Sequence, residues 1–142
     1  MNSEEINSIL IKDPNFLGCF ASNNLPQKVK RNVFSLIVNS DEKKFSGEHW
    51  MALHIVRDKI FYFDSFGCPI LEEPIKKWIG NRVLFWSNRC IQSVTSQLCG
   101  YYCICFILTV NDNNSYKKFL DCFSDNLNHN DEILTYVIKR LI

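Results

Sequence analysis

Between Gln92 and Val110 the chain passes from a polar loop into an apolar run, and no other stretch limits its folding choices as much. Ser93, Thr95 and Ser96 open it, and from Cys99-Gly100 onward almost every side chain is apolar. A polar loop feeding an apolar run of this length predicts a loop entering a buried helix. Cys99 then falls in the first turn of that helix. Unpaired amide N–H groups and the positive end of the helix dipole favour an anion there, which for cysteine is the thiolate. Gly100 carries no Cβ and lets a substrate backbone approach closely. Most cysteines in apolar runs are simply core residues, so a nucleophile at Cys99 requires a base from elsewhere in the chain.

The 142 residues suit one domain, residues 1–142, large enough to build a core without disulfides or metals. A formal net charge of +1 gives no general argument for binding nucleic acid or membranes. The N-terminus is acidic and polar, unlike a secretory signal, and the longest apolar run falls short of the ~20 residues that span a bilayer. Seven cysteines, an odd number, fit free thiols in a reducing compartment. The expectation is an intracellular protein.

Helical spacing of Ile6, Ile9 and Leu10 predicts a helix over 3–12, ended by Pro14. Residues 15–30 read as loop, and 32–39 as a largely buried strand. A charged connection follows over 40–47. Strands at 49–56 and 60–64 flank a tight turn at Arg57-Asp58-Lys59. A turn over 65–69, a helix over 71–79 stopped by Gly80-Asn81, and a short strand over 82–86 lead to the central helix. After a polar break at 111–114, helices are predicted over 115–126 and 131–141. The fold class is α+β, a small antiparallel sheet packed against helices.

Cysteine chemistry works best with an imidazole that takes the thiol proton and returns it to the leaving group. Of the three histidines, His129 sits in a polar Asn-His-Asn context and His54 lies inside a strand, with only surface carboxylates such as Asp58 nearby. His49 stands at a strand start. With the hairpin turn centred near Asp58, paired positions sum to roughly 115–117, so His49 faces the region from Phe66 to Cys68 and Asp64 is close to its diagonal neighbour. A carboxylate at Asp64 can hold the imidazole tautomer and stabilise its cation. Gln92, seven positions before Cys99, can return its side-chain amide as an oxyanion donor beside the Cys99 N–H; Gln97 competes for that role. No Cys-x-x-Cys pair occurs, which argues against a structural zinc site. Lys28, Lys30 and Arg31 form the one basic cluster of note and read as a solvated loop.

Gly47-Glu48-His49-Trp50-Met51-Ala52, then Phe61-Tyr62-Phe63-Asp64-Ser65-Phe66-Gly67, then Gln92 through Cys99-Gly100-Tyr101-Tyr102-Cys103, resemble in residue type and order the adenovirus-type cysteine proteases, the adenain family. Phe16-Leu17-Gly18 and Ile37-Val38-Asn39 fit the same family's N-terminal part. The resemblance extends to about the end of the central helix. It implies an adenain-like (papain-like) cysteine protease fold, shared with SUMO-specific proteases, with His49, Asp64, Gln92 and Cys99 catalytic. Gly47, Trp50 and Gly100 are then expected to line the substrate, with no metal. The implied activity is endopeptidase cleavage of viral or transposon precursor proteins at glycine-containing sites during virion maturation; the alternative is a protease acting on ubiquitin-like proteins. The implied setting is a monomer in the host nucleus or cytoplasm and in the virion, away from membranes. No cofactor is required for the chemistry. Adenovirus members are stimulated by DNA and by a disulfide-joined peptide, but the near-neutral charge lends DNA no support here, and Cys90 stands too close to Gln92 to match the peptide-linking cysteine.

Overall fold

The computed structural model describes residues 1–41 and 49–141, so most of the connection expected over 40–47, Gly47 included, lies outside the described residues. Five strands form one sheet in the order β1 (Phe16–Ala21), β2 (Val33–Asn39), β3 (Trp50–Val56), β4 (Lys59–Phe63) and β5 (Val83–Trp86). The α+β class is as expected. The sheet is antiparallel across β2, β3 and β4, but both outer strands join in parallel. β5 pairs this way because α2 (Glu73–Ile79) carries the chain back along the sheet, the crossover that a parallel pairing needs. β1 replaces the front of the loop expected over 15–30. Its Gly18, at φ +139, lies where the register shifts between Phe16 and Cys19, and such a bulge erases the regular pattern that marks a strand.

The β3–β4 hairpin pairs Ala52 with Phe63 and Val56 with Lys59. Arg57 supplies, at φ 58, the left-handed conformation its two-residue turn requires. Both faces of the central strands are covered, which is why β2 reads as continuously apolar rather than alternating. Ile37, Ala52 and Phe63 face α1 (Ser3–Leu10), α3 (Cys99–Asn111), α4 (Tyr116–Asp121) and α5 (Leu127–Leu141). Leu36, Val38, Met51, Leu53 and Tyr62 face α2 and the chain near Leu25.

α4 is shorter than expected and α5 longer. Ser115 caps α4 by accepting the Lys118 N–H, and the chain leaves the helix after Asp121. Asn126 accepts the His129 N–H and starts α5 before the expected 131, placing His129 in its first turn. From α5, buried Asn130 donates to the carbonyls of Ile91 (3.0 Å) and Ser124 (2.8 Å). Tyr102 also donates to the Ile91 carbonyl, at 3.2 Å, so the chain entering Gln92 is held from two helices.

Phe106 is the packing hub, fully buried, stacked on Phe63 at 5.0 Å and edge-on to Tyr116 and Phe119. Phe106→Ala is expected to cost about 3–5 kcal/mol, read as a lowered midpoint in urea unfolding.

Candidate active site

Three segments meet at the N-terminal mouth of α3. β3 begins at Trp50, so His49 stands just outside the sheet; β4 ends at Phe63, and Asp64 follows. The pairing continues in spirit past the strands: His49 and Phe66 stack with centroids 5.0 Å apart and 25° between planes. Asp64 Oδ1 accepts from His49 Nε2 at 2.8 Å and from the Phe66 N–H at 2.9 Å. With Nε2 engaged, Nδ1 is the ring nitrogen left for another partner.

The Cys99 sulfur interacts with the His49 ring and with the backbone N–H groups of Trp50 and Gly100. No side chain caps α3, whose N-cap is Leu98, so its positive end is open toward the thiol. Burial pushes the Cys99 thiol up, but the His49 hydrogen bond, the Trp50 N–H, the His49 charge and the Gly100 N–H together hold it below its ordinary 9.0. Burial likewise opposes a charge on His49; its bonds to Asp64 and Cys99, and the negative charges of both, raise it from 6.5 to about 9. These opposite displacements favour transfer of the thiol proton to the ring. Cys19 and Cys105 are instead pushed up to about 12 by burial alone, and Cys103 rises well above its ordinary value. Cys99 is thus set apart from the core thiols around it.

Gln92 is fully buried beside this pair. Ser65 Oγ donates to its Oε1 at 2.5 Å, while its Nε2 donates to the Ser96 carbonyl and hydroxyl, both at 3.0 Å. The Ser65 carbonyl accepts the N–H groups of Ile91 (2.9 Å) and Gln92 (3.2 Å). The amide is therefore oriented from both ends, and only the Ser96 hydroxyl contact is one that a simple rotation can release.

A cleft of about 510 Å³ opens over these groups, bounded by Met1, Trp50, Phe66, Ser96 and Gln97 as well as His49, Gln92 and Cys99. Gly100 faces protein: a Cβ there would lie 3.0 Å from Met1 Sδ and 3.3 Å from Trp50 Cδ1. The Trp50 indole N–H in turn donates to the Met1 carbonyl at 3.1 Å.

Of the residues expected at the site, His49, Trp50, Asp64, Gln92, Cys99 and Gly100 come together, and Gly47 lies outside the described residues. Sequence pattern alone did not mark Met1, Ser65, Phe66 or Ser96. Phe66 was within reach, since the hairpin register already placed it opposite His49; Ser65 and Ser96 carry no spacing signal. His54 is elsewhere, and its carboxylate is not Asp58. Its Nδ1 bonds Ser35 Oγ at 2.9 Å, Ser35 donates to Asn111 Oδ1 at 3.0 Å, and Asn111 donates to both oxygens of Asp13 at 3.0 Å. Burial lowers the His54 pKa, with the Asp13 charge pulling the other way. Among the described residues no three His, Cys, Asp or Glu side chains gather as metal ligands, and no helix is long and apolar enough to cross a membrane.

No protein-family model and no curated protein matches the chain. Among solved structures it is similar to the selenomethionine crystal structure of the ASFV pS273R protease, with 28% identity and a TM-score of 0.47. That similarity covers 62% of this chain and 38% of the other, so the chain spans well under two thirds of that protein's length.

Two outcomes follow from the geometry. Iodoacetamide should alkylate Cys99 with a pH midpoint below 9.0, and His49→Ala should move that midpoint upward, as read by mass spectrometry of the labelled peptide. Ser65→Ala strips the donor from a buried amide oxygen and should cost about 1–3 kcal/mol in denaturant unfolding.

Proposed function

We propose that this chain is a cysteine endopeptidase. The observation that carries the reading is the meeting of three groups at the mouth of α3: Cys99 as its first residue, His49 on the same cleft, and Asp64 Oδ1 on His49 Nε2 at 2.8 Å. In this mechanism the Cys99 thiolate attacks the scissile carbonyl carbon. The oxyanion accepts the Cys99 N–H and a Gln92 Nε2 hydrogen turned from Ser96. The His49 imidazolium then gives its proton to the leaving amine, and the acyl group stays on sulfur as a thioester. Neutral His49 next takes a proton from water, which attacks the thioester and frees the acid while the proton returns the pair to its starting state. Asp64 holds the ring through Oδ1 on Nε2.

Met1 and Trp50, which lie against Gly100, also border the cleft at Cys99, and this supports substrates with small residues at the scissile bond. That agrees with the glycine-containing sites implied by the adenain resemblance, and with viral or transposon precursor proteins as substrates. We place the active protein as a monomer acting on protein chains in the host nucleus or cytoplasm.

Cys99→Ala should leave a folded protein that no longer cleaves glycine-containing peptides; turnover retained in that variant removes Cys99 from the mechanism. Gln92→Ala should lower kcat by about 10²–10³. On the alkaline side, activity should fall as pH rises through about 9, where His49 loses the proton it gives to the leaving group, and a stopped assay across pH 5–10 reads that limb.

A further inference from the structure

At the far end of β3 from His49 lies a second cavity, about 360 Å³, whose wall includes Lys28, Arg31, Arg57, Lys77 and Arg82 and, among the described residues, no Asp or Glu. We propose that it binds a compact, phosphate-dense small anion such as a linear oligophosphate. Five of the chain's 16 Lys and Arg residues converge here although the whole chain carries only +1, so the rest of the molecule is net negative. They come from separate places: the 26–31 segment, the β3–β4 turn, α2 and the residue before β5. Among the described residues none of the five is in an ion pair; those formed join other groups. Like charges held around one concavity repel unless a counter-anion sits among them.

Two of the cations are also prearranged. Arg31 donates from one Nη to the Pro14 carbonyl at 2.6 Å, and Arg82 to the Trp78 carbonyl at 3.2 Å; each keeps further N–H groups free. Arg82 lies over the Trp78 ring at 4.5 Å, and Trp78 is itself fixed by its N–H on the Pro26 carbonyl at 2.9 Å. Planar guanidinium forks match phosphate oxygens in pairs. Lys28 and Arg57 stand at φ 56 and 58, a conformation that long side chains adopt at a cost where Gly or Asn would not.

The same details decide the class of ligand. Strand-binding nucleic-acid sites offer open aromatic faces for bases. Here one face of Trp78 is covered by Arg82, and Phe34 meets Trp78 edge-on, at 85°. The positive charge closes around a hollow instead of running as a stripe. Carboxylates spaced along an acidic peptide would not match five cations around so small a volume, whereas adjacent phosphates do.

Calorimetric titration of the full chain with sodium tripolyphosphate at fixed ionic strength tests this, and needs no peptidase activity. Saturable one-to-one binding is expected. Lys28→Asn with Lys77→Gln removes two exposed cations and should weaken it by about a hundredfold, roughly tenfold per charge-assisted contact. Lys118→Gln with Lys139→Gln, the same charge change on α4 and α5, should stay within about twofold. Should the first pair fail to fold, acetylation mapping of the unaltered protein gives the second readout: tripolyphosphate should protect Lys28 and Lys77 but not Lys118. No saturable binding, equal weakening in both pairs, protection spread over all lysines, or tighter binding of a DNA duplex or a polyglutamate peptide of matched charge each overturns the assignment.

Discussion

Helix α3 has no polar face to offer water, and the position of everything else at the cleft follows from burying it. Tyr102, Cys103, Ile104, Phe106, Ile107 and Val110 are all buried, so the helix is enclosed around most of its circumference by the sheet on one side and α1, α4 and α5 on the others. A helix held on all sides has one freedom left, where along its axis it begins. Cys99 is its first residue, and the chain before it is tied to the 64–67 turn and to α5. The uncapped first turn would ordinarily leave amide donors wanting acceptors. Here the Cys99 sulfur supplies one, so the same packing that hides the helix also favours charge on its leading sulfur.

The four residues after β4 do for the partners what α3 does for the thiol. Asp64 holds His49, Ser65 holds Gln92 through both its hydroxyl and its carbonyl, and Phe66 stacks on the imidazole while donating its N–H to Asp64. Gly67 ends the group at φ 73, and a Cβ there would come within 2.5 Å of the Asn88 carbonyl oxygen, so only glycine allows the turn to lie against the chain that leads into Gln92. Imidazole and amide are thereby referenced to one short, rigid peptide. Their relative position does not depend on two loops agreeing independently.

Much of this was legible in the residues because it rests on local rules. The change from polar to apolar at Cys99 marks a helix mouth, and hairpin arithmetic alone brings the region of Asp64 and Phe66 to His49. What escaped were interactions with no period. β1 hides behind the bulge at Gly18; α5 begins at an Asn126 cap that looks like ordinary loop sequence; Ser65 and Ser96 are small polar residues indistinguishable by spacing from surface ones. His54 shows the same gap between local and spatial reasoning, since its nearest sequence carboxylate is not the one it reaches through Ser35 and Asn111.

Net charge is the other quantity that sequence reports without location. A chain at +1 suggests a surface of mixed sign, and Lys28, Lys30 and Arg31 taken alone are an unremarkable basic loop. Folding adds Arg57 from a hairpin turn, Lys77 from α2 and Arg82 from before β5, residues too far apart in the chain for any window to sum together. At the other end of β3, a single buried carboxylate holds the ring that shares a cleft with the thiol. The sheet thus carries a charge-dense cavity at one end and a charge-paired cleft at the other, and because the central strands are packed on both faces, the backbone between the two is held by the core.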